Sequence, residues 1–252
     1  GAGGKTEMLG TESFGTEGEA AHAVFLARLR ELGLWGAGTG DLQLVLSGHG
    51  GPVTHAVQSP DGKRIATTSE DQFVRLWDAA TGELLFQMPG HTYHVSTADF
   101  SPDSRKLVTA SRDHTARVWD VQTGEPLLTL KEHQDIVVHA CFSPDGSRIL
   151  TAGHDGRAIL WDATTGAQLS TPIRDIDYFG WCGFSPDGSR IIVSTNDGSV
   201  KVWDTERASV LLEIRGHRGW VLACQFSRDG TRLLTTSADQ CARVWHITPY
   251  AE

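Results

Sequence analysis

The residues of this chain able to ligate a metal or move protons are 11 histidines, 4 cysteines and 31 acidic residues. Their spacing decides what they can do. Four histidines, His49, His91, His133 and His217, keep step with Asp71, Asp113, Asp155 and Asp239, each pair 22 residues apart. A catalytic set is needed once, so a pair that recurs at a fixed interval points to a structural device. His55, His94 and His139 fall outside that register. Gathered together they could bind a metal, but the sequence gives them neither carboxylate nor cysteine at ligand spacing. Cys141, Cys182, Cys224 and Cys241 lie far apart in apolar or small-residue surroundings, without the close pairing of a zinc site or redox dithiol. They are read as buried small hydrophobes. Gly3-Gly4-Lys5-Thr6 has the ending of a phosphate-binding loop, yet lacks the upstream glycine and the preceding strand. No catalytic residue, metal or cofactor is expected.

The elements that position these residues repeat with them. Tryptophan stands at Trp77, Trp119, Trp161, Trp203 and Trp245, each 42 residues after the last, and aspartate at Asp71, Asp113, Asp155, Asp197 and Asp239. Turns recur as Ser59-Pro60-Asp61-Gly62, Ser101-Pro102-Asp103-Ser104, Ser143-Pro144-Asp145-Gly146, Ser185-Pro186-Asp187-Gly188 and Ser227-Arg228-Asp229-Gly230. Proline presets one turn dihedral and glycine relieves another, so each marks a hairpin. A second turn, Thr81-Gly82, Thr123-Gly124 and Thr165-Gly166, follows the tryptophan strand, and Arg207-Ala208 replaces it in the fourth repeat. The segments between are short, β-branched and aromatic, which predicts four strands per repeat.

The sequence resembles the tryptophan-aspartate (WD, or WD40) repeat β-propellers over about 200 residues, through Gly48-His49, Gly90-His91, Gly216-His217, Trp77-Asp78, Trp119-Asp120, Trp161-Asp162 and Trp203-Asp204. The resemblance implies an all-β fold of five four-stranded blades set around a channel. It also implies a hydrogen-bonded chain inside each blade: His49, Thr67, Asp71 and Trp77; His91, Thr109, Asp113 and Trp119; His133, Thr151, Asp155 and Trp161; His217, Thr235, Asp239 and Trp245. The fourth repeat departs from it. Asp175 and Val193 occupy its histidine and hydroxyl positions, so that blade is expected to be less rigid or specialised. By the family's arrangement Leu42 to Leu46 complete the blade begun by Val221 to His246 and close the ring. A closed five-bladed ring is expected; the other arrangement is part of a larger propeller, finished by further sequence or by self-association with a second copy.

Residues 1–40 precede the propeller, predicted over 41–248 with a tail at 249–252. Within 1–40, Thr16 and Glu19 have capping-box spacing, and Ala21, Val24, Phe25, Arg28, Leu29 and Leu32 trace one face, predicting an amphipathic helix over 17–32. The formal net charge of −9 argues against a nucleic acid or an anionic membrane as partner. No apolar run reaches the roughly 18 residues needed to cross a bilayer, and the opening residues have no signal-peptide core. A cytoplasmic setting is expected.

The family's usual contact face, carried over by position, comprises Pro52, His94, Ile136, Tyr178 and Trp220, then Thr54, Ser96, Val138, Gly180 and Leu222, then Glu70, Arg112, His154, Asn196 and Ala238. His94, Arg112, Ile136, Val138, His154, Tyr178, Trp220 and Leu222 are the expected partner-binding set, since clustered aromatic, aliphatic and arginine side chains dominate interfaces. The predicted function is a non-catalytic scaffold that binds a protein or peptide. The alternative is a regulatory or sensor domain of a larger signalling or defence protein.

Overall fold

The computed structural model describes residues 43–174, 178–207 and 209–247. The predicted helix over 17–32, Gly3-Gly4-Lys5-Thr6 and Asp175 lie outside the described residues. Among the described residues nineteen strands form five antiparallel sheets. The first holds β1 (Val53–Gln58), β2 (Arg64–Ser69), β3 (Val74–Asp78) and β4 (Leu84–Met88), and the second β5 (Val95–Phe100), β6 (Lys106–Ser111), β7 (Ala116–Asp120) and β8 (Pro126–Leu130). The third holds β9 (Val137–Phe142), β10 (Arg148–Gly153), β11 (Arg157–Asp162) and β12 (Gln168–Arg174), and the fourth β13 (Phe179–Phe184), β14 (Arg190–Thr195), β15 (Ser199–Asp204) and β16 (Ser209–Arg215). The fifth holds only β17 (Val221–Phe226), β18 (Arg232–Ser237) and β19 (Ala242–His246).

Local chemistry makes the hairpins. Between β1 and β2, Ser59 Oγ donates to Asp61 Oδ1 at 2.6 Å, and that oxygen also accepts the Lys63 N–H at 3.1 Å. Gly62 then takes a φ of 72°. At the second turn Asp78 Oδ1 accepts the Ala80 and Thr81 N–H groups, both at 2.9 Å. The aspartate of each Trp-Asp pair is thus a turn cap. Asp204 does the same for Glu206 and Arg207 at 2.8 and 2.7 Å, which explains how the fourth repeat turns without a Thr-Gly pair.

The sheets are held by apolar contacts across each junction. Ala66, Val74, Leu76 and Met88 of the first pack on Val95, Phe100, Leu107 and Trp119 of the second, and the pattern recurs at the next three junctions. The innermost strands β1, β5, β9, β13 and β17 pack one on the next in that order, but among the described residues β17 does not pack comparably on β1. Leu234, Ala242 and Val244 hold the phase of Ala66, Val74 and Leu76, with no sheet over them among the described residues. Leu234 is 46% and Val244 66% exposed where Ala66 and Leu76 are fully buried.

The fifth sheet therefore corrects the expectation of five four-stranded blades. Residues 43–46 form no strand with β19. Leu44 and Leu46 lie instead against Gly82, in the manner in which Leu128 and Leu130 lie against Gly166. Apolar contact with the first sheet holds them, and the outer edge of β19 has no strand beside it among the described residues. Lacking a cover, this sheet also leaves Cys241 exposed, against the expectation of four buried cysteines.

Candidate functional site

In four blades the recurring polar residues join into one chain. In the second, Trp119 Nε1 donates to Thr109 Oγ1 at 2.9 Å, Thr109 Oγ1 lies 2.8 Å from His91 Nε2, and His91 Nδ1 lies 2.8 Å from Asp113 Oδ2. Asp113 Oδ2 also accepts the Thr92 N–H at 3.0 Å, tying the strand-linking loop to the blade. The first, third and fifth blades repeat this through Thr67, Thr151 and Thr235. Each buried polar atom in the chain is thereby paired, which removes the cost of placing it in a sheet interior. The fourth blade has Val193 in the hydroxyl position, and the Trp203 Nε1–H is buried without a partner.

Burial lowers His91 below the ordinary histidine value despite the neighbouring Asp113 carboxylate, and lowers His49 likewise. Burial alone would raise Asp113. Hydrogen bonds from His91, Thr115 and the Thr92 N–H outweigh it and hold the carboxyl well below the usual range. Both shifts have one sign: the unfolded chain binds more protons than the folded one as pH falls, so acid destabilises. Melting temperature is expected to decline once pH drops below about 6.5, the unfolded histidine value, and again below about 4, the unfolded carboxylate value. A melting series across that range checks it; a decline confined to the lower limb would refute the histidine contribution.

Backbone hydrogen bonds set the display face at the ends of the blades. In every blade the residue before the turn aspartate donates its N–H to the residue ahead of the innermost strand: Glu70 to Pro52, Arg112 to His94, His154 to Ile136, Asn196 to Tyr178 and Ala238 to Trp220, at 2.9 to 3.1 Å. Two display positions per blade are thus locked side by side. Arg112, Ile136, Val138, His154, Tyr178, Trp220 and Leu222 line one depression of about 210 Å³ spanning the second to fifth blades. Tyr178 is 49% and Trp220 46% exposed, so both rings point outward rather than folding between blades. The His154 and Tyr178 rings stand 5.3 Å apart across a blade junction.

His94 lies outside this depression. Its ring stacks on Tyr93 at 4.5 Å, and its Nδ1 faces Glu70 at 4.0 Å. The contact face carried over by position includes Asn196 although the expected binding set omits it, and Phe179 and Trp181 of the fourth repeat are expected beside that face, lining the channel. Phe179 is fully buried among the lining residues, and Asn196 Oδ1 is a buried acceptor there without a partner. Asn196 was legible from the repeat phase, which assigns it to this face. Trp181 lies elsewhere, lining a larger cavity of about 580 Å³ with its ring 3.8 Å from that of His139.

This is a repeat of antiparallel sheets with a structural polar chain inside four of the five blades and a display face at their ends. The chain belongs to the WD domain, G-beta repeat family, whose repeat matches at residues 40–78, 82–120, 124–162, 165–204 and 208–246. Domains of this family are typically interaction scaffolds rather than catalysts. No curated protein matches the chain closely enough to stand as a relative.

Proposed function

We propose that this chain is a non-catalytic cytoplasmic scaffold that binds a protein or peptide segment in the depression across the second to fifth blades. The exposure of Tyr178 and Trp220 on consecutive blades, around a floor of Phe179, carries the reading. An apolar side chain fits between the two rings, Ile136, Val138 and Leu222, while Asn196 Oδ1 takes an N–H and Arg112 an acceptor. A net charge of −9 directs the choice toward a neutral or basic segment. The test is photo-crosslinking: a photoreactive residue at Val138 is expected to trap the partner, and one at exposed Leu85, on the outer strand β4, is not. Equal trapping at both positions would remove the support.

We propose further that the five sheets are an arc of a larger propeller, with another WD-type sheet seated on β19. The uncovered Leu234 and Val244 support this. So does Trp35, which stands 42 residues before Trp77, with Thr39-Gly40 in the same phase ahead of Thr81-Gly82. These residues mark Leu42 to Leu46 as the end of a repeat preceding the first rather than the missing strand of the fifth sheet. Hydrogen exchange distinguishes the two. Rapid exchange along the outer edge of β19 is expected of this chain, and protected amides there would favour the closed five-bladed ring.

A further inference from the structure

At the junction of the third and fourth blades, three groups that the sequence spreads over 44 residues meet: His139, Cys141 and Cys182, with ligand atoms all within 4.8 Å of one another. His139 Nδ1 stands 3.4 Å from Cys182 Sγ. A tetrahedral zinc ion with thiolate bonds of about 2.3 Å and an imidazole bond of about 2.0 Å sets its ligand atoms roughly 3.5 to 3.8 Å apart, so modest side-chain rotation closes this trio on an ion. The other junctions serve as internal controls. The same phases hold His55, Val57 and Ala98 between the first and second blades, Thr97, Asp99 and Ala140 between the second and third, and Trp181, Gly183 and Cys224 between the fourth and fifth. The fold therefore does not require sulfur or imidazole at these positions.

The surroundings suit a bound ion. Trp181, with its ring 3.8 Å from that of His139, fixes the plane of the imidazole. All three donors line the 580 Å³ cavity along the innermost strands, which gives an ion a route in. We propose that His139, Cys141 and Cys182 form a zinc(II) site, with three protein ligands and a fourth position turned to the cavity and filled by water. One nitrogen and two sulfur donors select zinc over magnesium or calcium. On binding, each thiol gives its proton to solvent as its sulfur bonds the ion, and no electron is transferred. Without metal, burial pushes the Cys182 thiol well above its ordinary value.

Cobalt(II) replaces zinc as the probe, in reduced, chelator-stripped full chain carrying Cys241→Ser to remove the exposed thiol. One equivalent of cobalt is expected to bind, with thiolate-to-cobalt charge-transfer bands and the intense visible bands of tetrahedral geometry, and to be displaced by zinc. Cys182→Ala and Cys141→Val install the residues that other repeats of this chain carry in those phases, so both variants are built to fold. Each is expected to weaken cobalt binding by about 100-fold or more, and to abolish the rise in melting temperature that zinc gives the parent. Absence of the charge-transfer bands from the reduced parent overturns the site, as do bands that persist unchanged in Cys182→Ala.

Discussion

Replacing Tyr178 and Trp220 together by alanine is expected to abolish partner capture while leaving the fold intact. The two rings have the exposure of anchors, at 49% and 46%, and they flank one depression. Truncating such an anchor costs about 2 kcal/mol of binding or more, a factor of about 30 each and about 1,000 together if they act independently. The fold bears little of this. Both residues precede their innermost strands, and the backbone hydrogen bonds that fix them, from Asn196 and Ala238, use carbonyl groups that alanine keeps. Surface changes of this kind stay within about 0.5 kcal/mol each, so the melting temperature of the double variant is expected to move by about 4 °C at most. Full capture by the double variant with unchanged melting would sink the proposed face.

How much of this the sequence disclosed follows from how the contacts are made. Hairpins and blade networks were legible, because each is closed within one repeat by residues at fixed offsets, 22 from His91 to Asp113 and 10 from Thr109 to Trp119. Junctions between blades were not, because they pair residues about one repeat apart. Thr97 reaches Val138, Asp99 reaches Phe142 and His139 reaches Cys182 at separations of 41 to 43 residues. Cysteines that look isolated in the chain are therefore neighbours in space. The 42-residue period, applied across junctions as well as within blades, would have found the His139, Cys141 and Cys182 trio. Trp35 was equally legible, and its 42-residue phase ahead of Trp77 supports the proposed repeat before Leu42 to Leu46. His94 has the phase of the display face but lies outside the depression, its ring stacked on Tyr93 and facing Glu70, contacts that the repeat phase does not disclose.

The fourth blade supplies the template for the largest expected change in stability. Thr109→Val places in the second blade the residue that Val193 supplies in the fourth, with nearly the same shape and no hydroxyl. Trp119 Nε1–H would lose its acceptor and His91 Nε2 its hydroxyl partner, both in a buried site. Each buried group left unpaired costs about 1 to 3 kcal/mol, so a loss of about 3 kcal/mol is expected. The reverse change is expected to stabilise: Val193→Thr offers the unpaired Trp203 Nε1–H an acceptor, worth about 1 kcal/mol. Its own hydroxyl proton can go to the Lys201 carbonyl, as those of Thr109 and Thr151 lie near Arg117 and Ile159. The two effects differ in size because valine in the fourth blade strands only the indole, with Asp175 in the histidine position, whereas valine in the second strands an imidazole as well. Urea unfolding of both variants reads the pair directly. Equal and opposite shifts would mean that the indole alone sets the cost, and that the histidine contributes nothing to the network's stability.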